Sequence, residues 1–242
     1  MIRKSSSAVV KAIALAAALC VAPLSQAGVL DFETPVDSPF VFAGDILNMG
    51  SYFVEGAGTV VEGAGTAGLV GALTNNEACS GGGVQCPINN ASTYYNGLDD
   101  GYMFFGKTDG SLFTLGTLDA SFVGAGATSY PSVAALLYIT AFDVSGVVAE
   151  TYLNLAGPTS GSFNFARYDL TGFGDGALFS NVRVASYACD ASGNCNRNTN
   201  QAQFAIDNIV TVDAAAVPEP GSFALLGLGL AGLAAFKRRR AA

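Results

Sequence analysis

The chain has 242 residues, a length that suits one domain of ordinary size once processing segments are removed. Between residues 28 and 217 there are 18 acidic and 4 basic residues, so the net charge of this region is −14. Such a surface repels the phosphates of DNA, RNA and anionic lipids, which excludes nucleic acid as a partner. The sequence has no histidine, which excludes Ser-His-Asp and Cys-His catalysis.

The first 27 residues have the pattern of a secretory signal peptide. Arg3, Lys4 and Lys11 precede an apolar run at 12–22, and the small residues of the sequence SQA end the segment at Ala27. Basic, apolar and small-residue regions in this order predict cleavage after Ala27 and export of the remaining chain. An uncleaved membrane anchor is the alternative, although the apolar run is short for a membrane span.

The body of the chain, residues 28–213, has the pattern of an all-β domain. Short stretches rich in β-branched and aromatic residues are bounded by Gly, Asp, Asn or Pro, as is typical of strands. Regular strand spacing with Gly-rich turns predicts an antiparallel β-sandwich, which we interpret as a jelly roll. The clearest predicted strands are 133–142, 147–155, 162–168, 178–186 and 203–212. In the last of them the predicted buried face consists of Phe204, Ile206, Val210 and Val212.

Four cysteines remain in the exported chain, in two close pairs. They are Cys79 with Cys86, and Cys189 with Cys195. Disulfides persist outside the cytoplasm, so the spacing predicts two local bridges between these partners. A zinc site is the alternative, but the sequence has neither C-x-x-C nor histidine.

Three acidic residues near the ends of the body are candidate calcium ligands. Asp31 and Glu33 are two positions apart, so on a first strand their side chains would share one face. Asp207 lies in the predicted last strand, and in many sandwiches the first and last strands are neighbours. Hard oxygen ligands at such a seam suit Ca²⁺, so we expect a structural calcium site there. The alternative is that these acids cap or solvate strand edges.

Catalysis has few candidate residues in this sequence. A glycosidase needs only two carboxylates, so a surface hydrolase stays an alternative. However, there is no tryptophan to act as a sugar platform, and acidic residues in turns are mostly solvated. We therefore expect a protein that is not an enzyme.

The end of the chain, residues 218–242, follows a linker at 214–217 and has a composition of its own. Two prolines keep its first residues extended and accessible. The 16 uncharged residues at 221–236 would give about 24 Å of helix, against about 30 Å of hydrocarbon, which predicts a short transmembrane helix. The basic residues after it would stay cytoplasmic. The motif residues are Pro218, Glu219, Pro220, Lys237, Arg238, Arg239 and Arg240.

This arrangement resembles the PEP-CTERM sorting signal of Gram-negative bacteria that possess an exosortase. The Pro-Glu-Pro sequence, the short apolar segment and the basic cluster occur in the same order. The resemblance implies export, transit through the inner membrane, recognition by an exosortase and cleavage near Pro-Glu-Pro. It also implies delivery to the cell surface or to the exopolysaccharide matrix of a biofilm.

The body resembles the sandwich domains that precede such tails, with a DFE opening and a QFAIDNI close. Gln203, Phe204 and Asp207 fit the Q-F-x-x-D pattern of one subgroup. Similar opening and closing strands occur in jelly-roll carbohydrate-binding modules, some of which hold a structural calcium. We therefore expect a non-catalytic structural or adhesive protein. The main alternative is a carbohydrate-binding module that engages exopolysaccharide through Tyr-bearing loops.

Overall fold

The computed structural model describes residues 27–58, 68–75, 79, 84–124, 129–196 and 201–214. Ala27–Ala214 form one compact unit of the chain. Its described residues form β-strands in chain order as follows: β1 (Ala27–Leu30), β2 (Phe40–Phe42), β3 (Ile46–Met49), β4 (Tyr52–Ala57), β5 (Leu69–Thr74), β6 (Tyr94–Gly97), β7 (Tyr102–Lys107), β8 (Phe113–Leu115), β9 (Thr117–Phe122), β10 (Val133–Asp143), β11 (Gly146–Ala156), β12 (Ala166–Asp169), β13 (Asn181–Cys189), β14 (Cys195–Asn196), β15 (Phe204–Asp207) and β16 (Ile209–Asp213).

The strands build three antiparallel sheets. A seven-stranded sheet has the order β11-β10-β13-β7-β4-β3, with β14 paired to β13. A six-stranded sheet has the order β12-β9-β15-β6-β5-β2, and β1-β16-β8 form a small third sheet. The all-β, antiparallel prediction and the β-sandwich are thereby confirmed.

One hydrophobic core joins the three sheets. The seven-stranded sheet contributes Phe105, the six-stranded sheet contributes Tyr95 and Phe204, and the small sheet contributes Leu30 and Ile209. All five side chains are at most 1% exposed. Burying an apolar side chain of this size contributes about 2 kcal/mol, which explains why these widely separated segments pack together.

Buried and partly exposed side chains alternate along β4, an inner strand of the seven-stranded sheet. In β4 the side of the strand that carries Tyr52 and Val54 is buried, while Phe53 and Glu55 on the other side are partly exposed. This period of two is the geometry of a strand with one face on a core. β10 is longer and is hydrogen-bonded on both sides, to β11 and to β13.

The predicted strand 203–212 is wrong in one respect. The structure divides it into β15 and β16, which belong to different sheets. Asn208 between them has a φ of 50°, in the left-handed region where asparagine is favoured over most residues. The extra residue changes the alternation, so Ile209 is buried and Val210 is not, against the prediction.

Four turns share a D-x-[ST] sequence. In each, the aspartate Oδ1 accepts a hydrogen bond from the backbone N–H two residues later, at 2.6–2.9 Å. Such Asx turns give the backbone a local partner where a strand ends. The aspartates are Asp109, Asp143, Asp169 and Asp190.

Two segments with predicted roles lie outside the described residues. They are residues 1–26 of the predicted signal peptide, whose last residue is Ala27, and the sorting tail with its predicted helix at 221–236. Within the part of the chain that the structure describes, there is no helix with the length and apolar character needed to span a bilayer.

Candidate functional site

An open cleft of about 380 Å³ lies beside the six-stranded sheet. Its walls come from β9, β12, the residue after β15 and the segment that leads into β6. Most of its side chains are polar, and one is aromatic. The lining residues are Asn89, Asn90, Asp119, Phe165, Arg167 and Asn208.

Asp119 and Arg167 form a paired hydrogen-bond arrangement at one wall of the cleft. They face each other in the register of β9 and β12. Arg167 Nε donates to Asp119 Oδ1 at 2.8 Å, and Nη2 donates to Oδ2 at 2.9 Å. The Arg167 side chain is 67% exposed and that of Asp119 is 16% exposed. A carboxylate thus holds the guanidinium in a fixed orientation while much of it faces solvent.

Asn208 connects this pair to the buried Asp207. The Asn208 Nδ2 donates to Asp119 Oδ2 at 3.1 Å and to Asp207 Oδ2 at 3.3 Å. The left-handed backbone at Asn208 ends β15 and also orients the Asn208 side chain. It places an amide between two carboxylates that lie opposite each other in the β15–β9 register.

Asp207 is fully buried and accepts hydrogen bonds on both oxygens. Asn90 Nδ2 and Ser92 Oγ donate to Oδ2 at 2.7 and 2.8 Å, and the Asn208 N–H donates to Oδ1 at 2.7 Å. Burial raises the pKa of Asp207, and these hydrogen bonds oppose that effect. The charge of Glu33 adds to the rise in the pKa of Asp207, because a like charge disfavours ionisation.

Phe165 supplies the aromatic wall and is held in place by Asn89. The Asn89 Oδ1 accepts from the Phe165 N–H at 2.6 Å, and its Nδ2 donates to the Phe165 carbonyl at 3.0 Å. The Phe165 ring packs edge-on against buried Tyr94, with ring centroids 5.1 Å apart. The Asn89 side chain thus satisfies the backbone of Phe165, which lies just before β12, as a neighbouring strand would.

The predicted calcium ligands are only partly brought together. β1 ends at Leu30 and Phe32 has a φ of 57°, so Asp31 and Glu33 do not share the face of a first strand. That expectation is wrong, because it assumed an extended backbone through Phe32. Asp31 Oδ1 accepts from the Glu33 N–H at 3.3 Å, and Glu33 Oε1 accepts from the Thr93 N–H at 2.8 Å.

The oxygen atoms near Asp207 provide only part of a calcium ligand set, with fewer carboxylates than predicted. The Ser92 hydroxyl oxygen lies 2.8 Å from Asp207, and the next residue, Thr93, donates its N–H to Glu33. Asn90 turns its Nδ2 toward Asp207, and its amide oxygen accepts from Ser92 instead. Oxygen ligands of this kind suit Ca²⁺. No group of three or more His, Cys, Asp or Glu side chains suited to a metal occurs among the described residues.

A second surface, the outer aromatic face, consists of Tyr138, Tyr152 and Tyr187 on β10, β11 and β13. The Tyr138 and Tyr152 rings stack at 4.5 Å, and Tyr187 meets both edge-on at 5.9 and 6.1 Å. Eight of the nine tyrosines lie in strands, and only Tyr130 does not. The expectation of Tyr-bearing loops is therefore wrong, because the tyrosines fill strand positions that aromatic residues favour.

The cysteines are paired as the spacing predicts. Cys79 is joined to Cys86 with Cα atoms 6.2 Å apart, and Cys189 to Cys195 with Cα atoms 3.9 Å apart. The second bridge closes the β13–β14 hairpin, where the same two residues face each other.

Fold and tail together define an antiparallel β-sandwich followed by a sorting signal. Residues 216–240 match the PEP-CTERM protein-sorting motif. The motif implies processing by an exosortase, with export and membrane transit before surface display. Its match does not extend into the sandwich. The Q-F-x-x-D assignment of Gln203, Phe204 and Asp207 stays a prediction, as does cleavage after Ala27.

Comparisons of the whole chain add evidence on the fold. No curated protein matches this sequence. The structure is similar to that of a DUF4465 family protein from Bacteroides caccae ATCC 43185, with a TM-score of 0.52 and 12% identity over 78% of this chain and 100% of that chain. For a DUF4465 family protein from Bacteroides ovatus ATCC 8483, the TM-score is 0.42 and the identity 11%, over 78% and 99% of the two chains.

A third solved structure is less similar. It is a family 11 carbohydrate-binding module from Clostridium thermocellum, in complex with a β-1,3-1,4-mixed-linked tetrasaccharide. The TM-score is 0.32 and the identity 11%, over 79% of this chain and 97% of that chain. Among the three, the Bacteroides caccae protein supports a shared fold, and none assigns a function.

Sequence reasoning found Asp207 but missed the residues that line the cleft. Asp119 and Arg167 are 48 positions apart, and only the β9–β12 register brings them together. The one available signal was charge, because Arg167 is among only 4 basic residues between 28 and 217.

Proposed function

We propose that this chain is an exported, non-catalytic protein of a Gram-negative bacterium, delivered by an exosortase to the cell surface or the extracellular matrix. The observation that carries the proposal is the PEP-CTERM motif at residues 216–240. The sandwich would then remain as a structural or adhesive component of that layer.

The charges and the cysteines support this route. Apart from Glu219, the acidic residues lie in the body, and the final cations lie in the tail. A tail that spans the inner membrane would therefore keep its cations in the cytoplasm. The two cysteine pairs suit an oxidising compartment. The predicted helix at 221–236 would hold the chain in the membrane until the exosortase cuts near Pro218.

The proposal includes a jelly-roll topology and a structural Ca²⁺ held by Glu33 and Asp207. The adjacent residues Ser92 and Thr93 donate to Asp207 and Glu33, and Asp207 is buried, which supports a cation that would offset the two negative charges. The ion would have a stabilising role, because these residues join the segment after β1 to the end of β15.

Sorting is tested by expressing the full chain in an exosortase-bearing host and in the same host without the exosortase. We expect a clipped form at the surface of the first host and a membrane-held, full-length form in the second. Changing Pro218, Glu219 and Pro220 together to Ala should give the second result in both hosts. A Pro35→Ala change in the body is the matched control and should sort normally. Equal release from both hosts would refute the proposal.

Carbohydrate binding is a second candidate function, favoured by one observation. The cleft combines an aromatic ring with fixed polar groups, which is the chemistry that a sugar ring requires.

A further inference from the structure

We propose that the cleft beside β9 and β12 binds a neutral saccharide, with Arg167 and Asp119 hydrogen-bonding to adjacent ring hydroxyls and Phe165 packing against the C–H face of the sugar. The inference rests on carbohydrate binding as the second candidate function and is independent of the sorting tail. The binding surface is then this cleft, which the sequence did not reveal, and not the tyrosines.

The size and openness of the cleft suit this class of ligand. Its volume of about 380 Å³ lies near the lower end of the usual range for small-molecule sites, about 300–1,000 Å³. Its lining is mainly polar, which disfavours an apolar ligand, because the polar side chains would lose water without gaining partners.

The polar groups are oriented before any ligand arrives. Asp119 is held by two bonds from Arg167 and one from Asn208. The guanidinium has further N–H groups that its bonds to Asp119 do not use, and the carboxylate has further acceptor capacity. A donor and an acceptor side by side match neighbouring hydroxyls, each of which can both donate and accept. Fixed groups of this kind lower the entropy cost of binding.

Phe165 provides the apolar contact that a sugar face needs. Its backbone is fixed by Asn89 on both sides, and its ring is supported by Tyr94. The ring is partly exposed and lies in the wall of the cleft with Arg167. A pyranose could therefore contact an aromatic surface and a polar pair at once.

Charge selects a neutral ligand over an anionic one. Arg167 is the only cation among the lining residues, and its charge is offset by Asp119. Asp207 lies directly behind, and the region from 28 to 217 has a net charge of −14. An acidic polysaccharide would meet repulsion without a free positive charge to offset it.

The outer aromatic face is the competing surface and provides a control. Tyr152 is 54% exposed, but its ring stacks on Tyr138 and meets the edge of Tyr187. Part of the surface of each of these rings is covered by the other two. A Tyr152→Ala variant therefore reports on that surface without changing the cleft.

The test uses the full chain, purified in mild detergent after export, in a buffer that contains calcium. Dextran, galactomannan and xylan are the neutral probes and alginate is the anionic one, with binding measured by titration calorimetry. We expect at least one neutral probe to bind and alginate not to bind. Arg167→Ala should weaken binding at least tenfold, a loss of about 1.4 kcal/mol.

Arg167→Lys keeps the charge but cannot make the paired bonds, so it should weaken binding nearly as much. Because Arg167 is largely exposed, both variants should melt within a few degrees of wild type. Tyr152→Ala should bind as wild type. If no neutral probe binds, carbohydrate binding fails together with this site. If binding survives Arg167→Ala but is lost in Tyr152→Ala, the function stands and the cleft assignment is overturned.

Discussion

Lys107 and Asp213 form an ion pair in which Nζ lies 2.9 Å from Oδ1, and the Lys107 side chain is only 7% exposed. The pair joins β7 of the seven-stranded sheet to the end of β16 in the small sheet. The ammonium also lies 4.4 Å from the centre of the Tyr52 ring, and the Tyr52 hydroxyl is 2.7 Å from Thr211 Oγ1. Gly28 makes room for this cluster, because a Cβ there would collide with the Tyr52 hydroxyl.

Removing the Lys107 charge should destabilise the fold. Lys107→Met keeps most of the apolar stem but leaves the Asp213 carboxylate without its ammonium partner. Asp213 is 34% exposed, so solvent reduces the cost, and we expect a loss of about 2 kcal/mol in the free energy of unfolding. Urea denaturation measures it. The exposed Arg167–Asp119 pair is the comparison, since solvent screens it and Arg167→Ala should cost clearly less than Lys107→Met. Equal losses of stability in the two variants would show that the buried Lys107–Asp213 pair contributes no more than the exposed pair.

A methyl group at Gly97 should also destabilise the core. Gly97 faces Phe204 in the β15–β6 register, and a Cβ would overlap the Phe204 ring. Phe204 is fully buried and cannot move aside, so Gly97→Ala should cost about 2 kcal/mol. Gly68→Ala is the matched control, because no atom lies within 4 Å of its added Cβ. Thermal melts that shift equally for both variants would argue against this packing.

The D-x-[ST] turns predict a specific loss of stability in acid. Hydrogen bonds from the following residues lower the pKa of Asp109, Asp143, Asp169 and Asp190 below the ordinary value of 3.8. A lowered pKa means that the folded state binds protons less readily than the unfolded state. The stabilisation is therefore present above pH 3.8 and is lost as the pH falls through the lowered values.

Asn in place of Asp can still accept the turn hydrogen bond but has no proton to gain. The double change Asp143→Asn and Asp169→Asn should therefore reduce the dependence of the urea midpoint on pH below about 4. Near neutral pH the double variant should stay close to wild type in stability, because exposed turns contribute little. An acid dependence identical to that of wild type would show that other carboxylates control it.

Calcium should stabilise the domain through Glu33 and Asp207. We expect EDTA to lower the melting temperature by several degrees and added Ca²⁺ to restore it, because a ligand that binds only the folded state stabilises it. Asp207→Asn should abolish the response. Asp31→Asn should keep it, because Asp31 is exposed and its contact is with the Glu33 backbone. A melting temperature that EDTA leaves unchanged in wild type would rule the ion out.

The sequence predicted the strands best where local pattern and long-range pairing agree. The stretches 133–142 and 147–155 correspond closely to β10 and β11, which pair with each other across a short turn. The stretch 162–168 is less well predicted, because only its last residues enter β12. Its first part is held by Asn89, which lies 76 residues away from Phe165. No local pattern contains that information.

The same limit applies to the cleft and to the predicted calcium ligands. Both depend on single residues with left-handed backbone, Phe32 and Asn208, that interrupt an otherwise extended chain. Asparagine tolerates this conformation, so Asn208 could have suggested a break in the last strand. Phe32 gives no such signal, because an aromatic residue with positive φ is held there by its burial in the core.

The pairing of β1 with β16, in which Gly28 faces Thr211, sets a condition on how the chain crosses a membrane. A polypeptide that is threaded with its amino end first delivers β1 at the beginning and β16 almost at the end. The small sheet can close only after nearly the whole body has passed through, so long-range contacts form late. Seven residues lie between Asp213 and Gly221, so a tail held in the membrane, as we propose, would keep this last closure within about 28 Å of the bilayer.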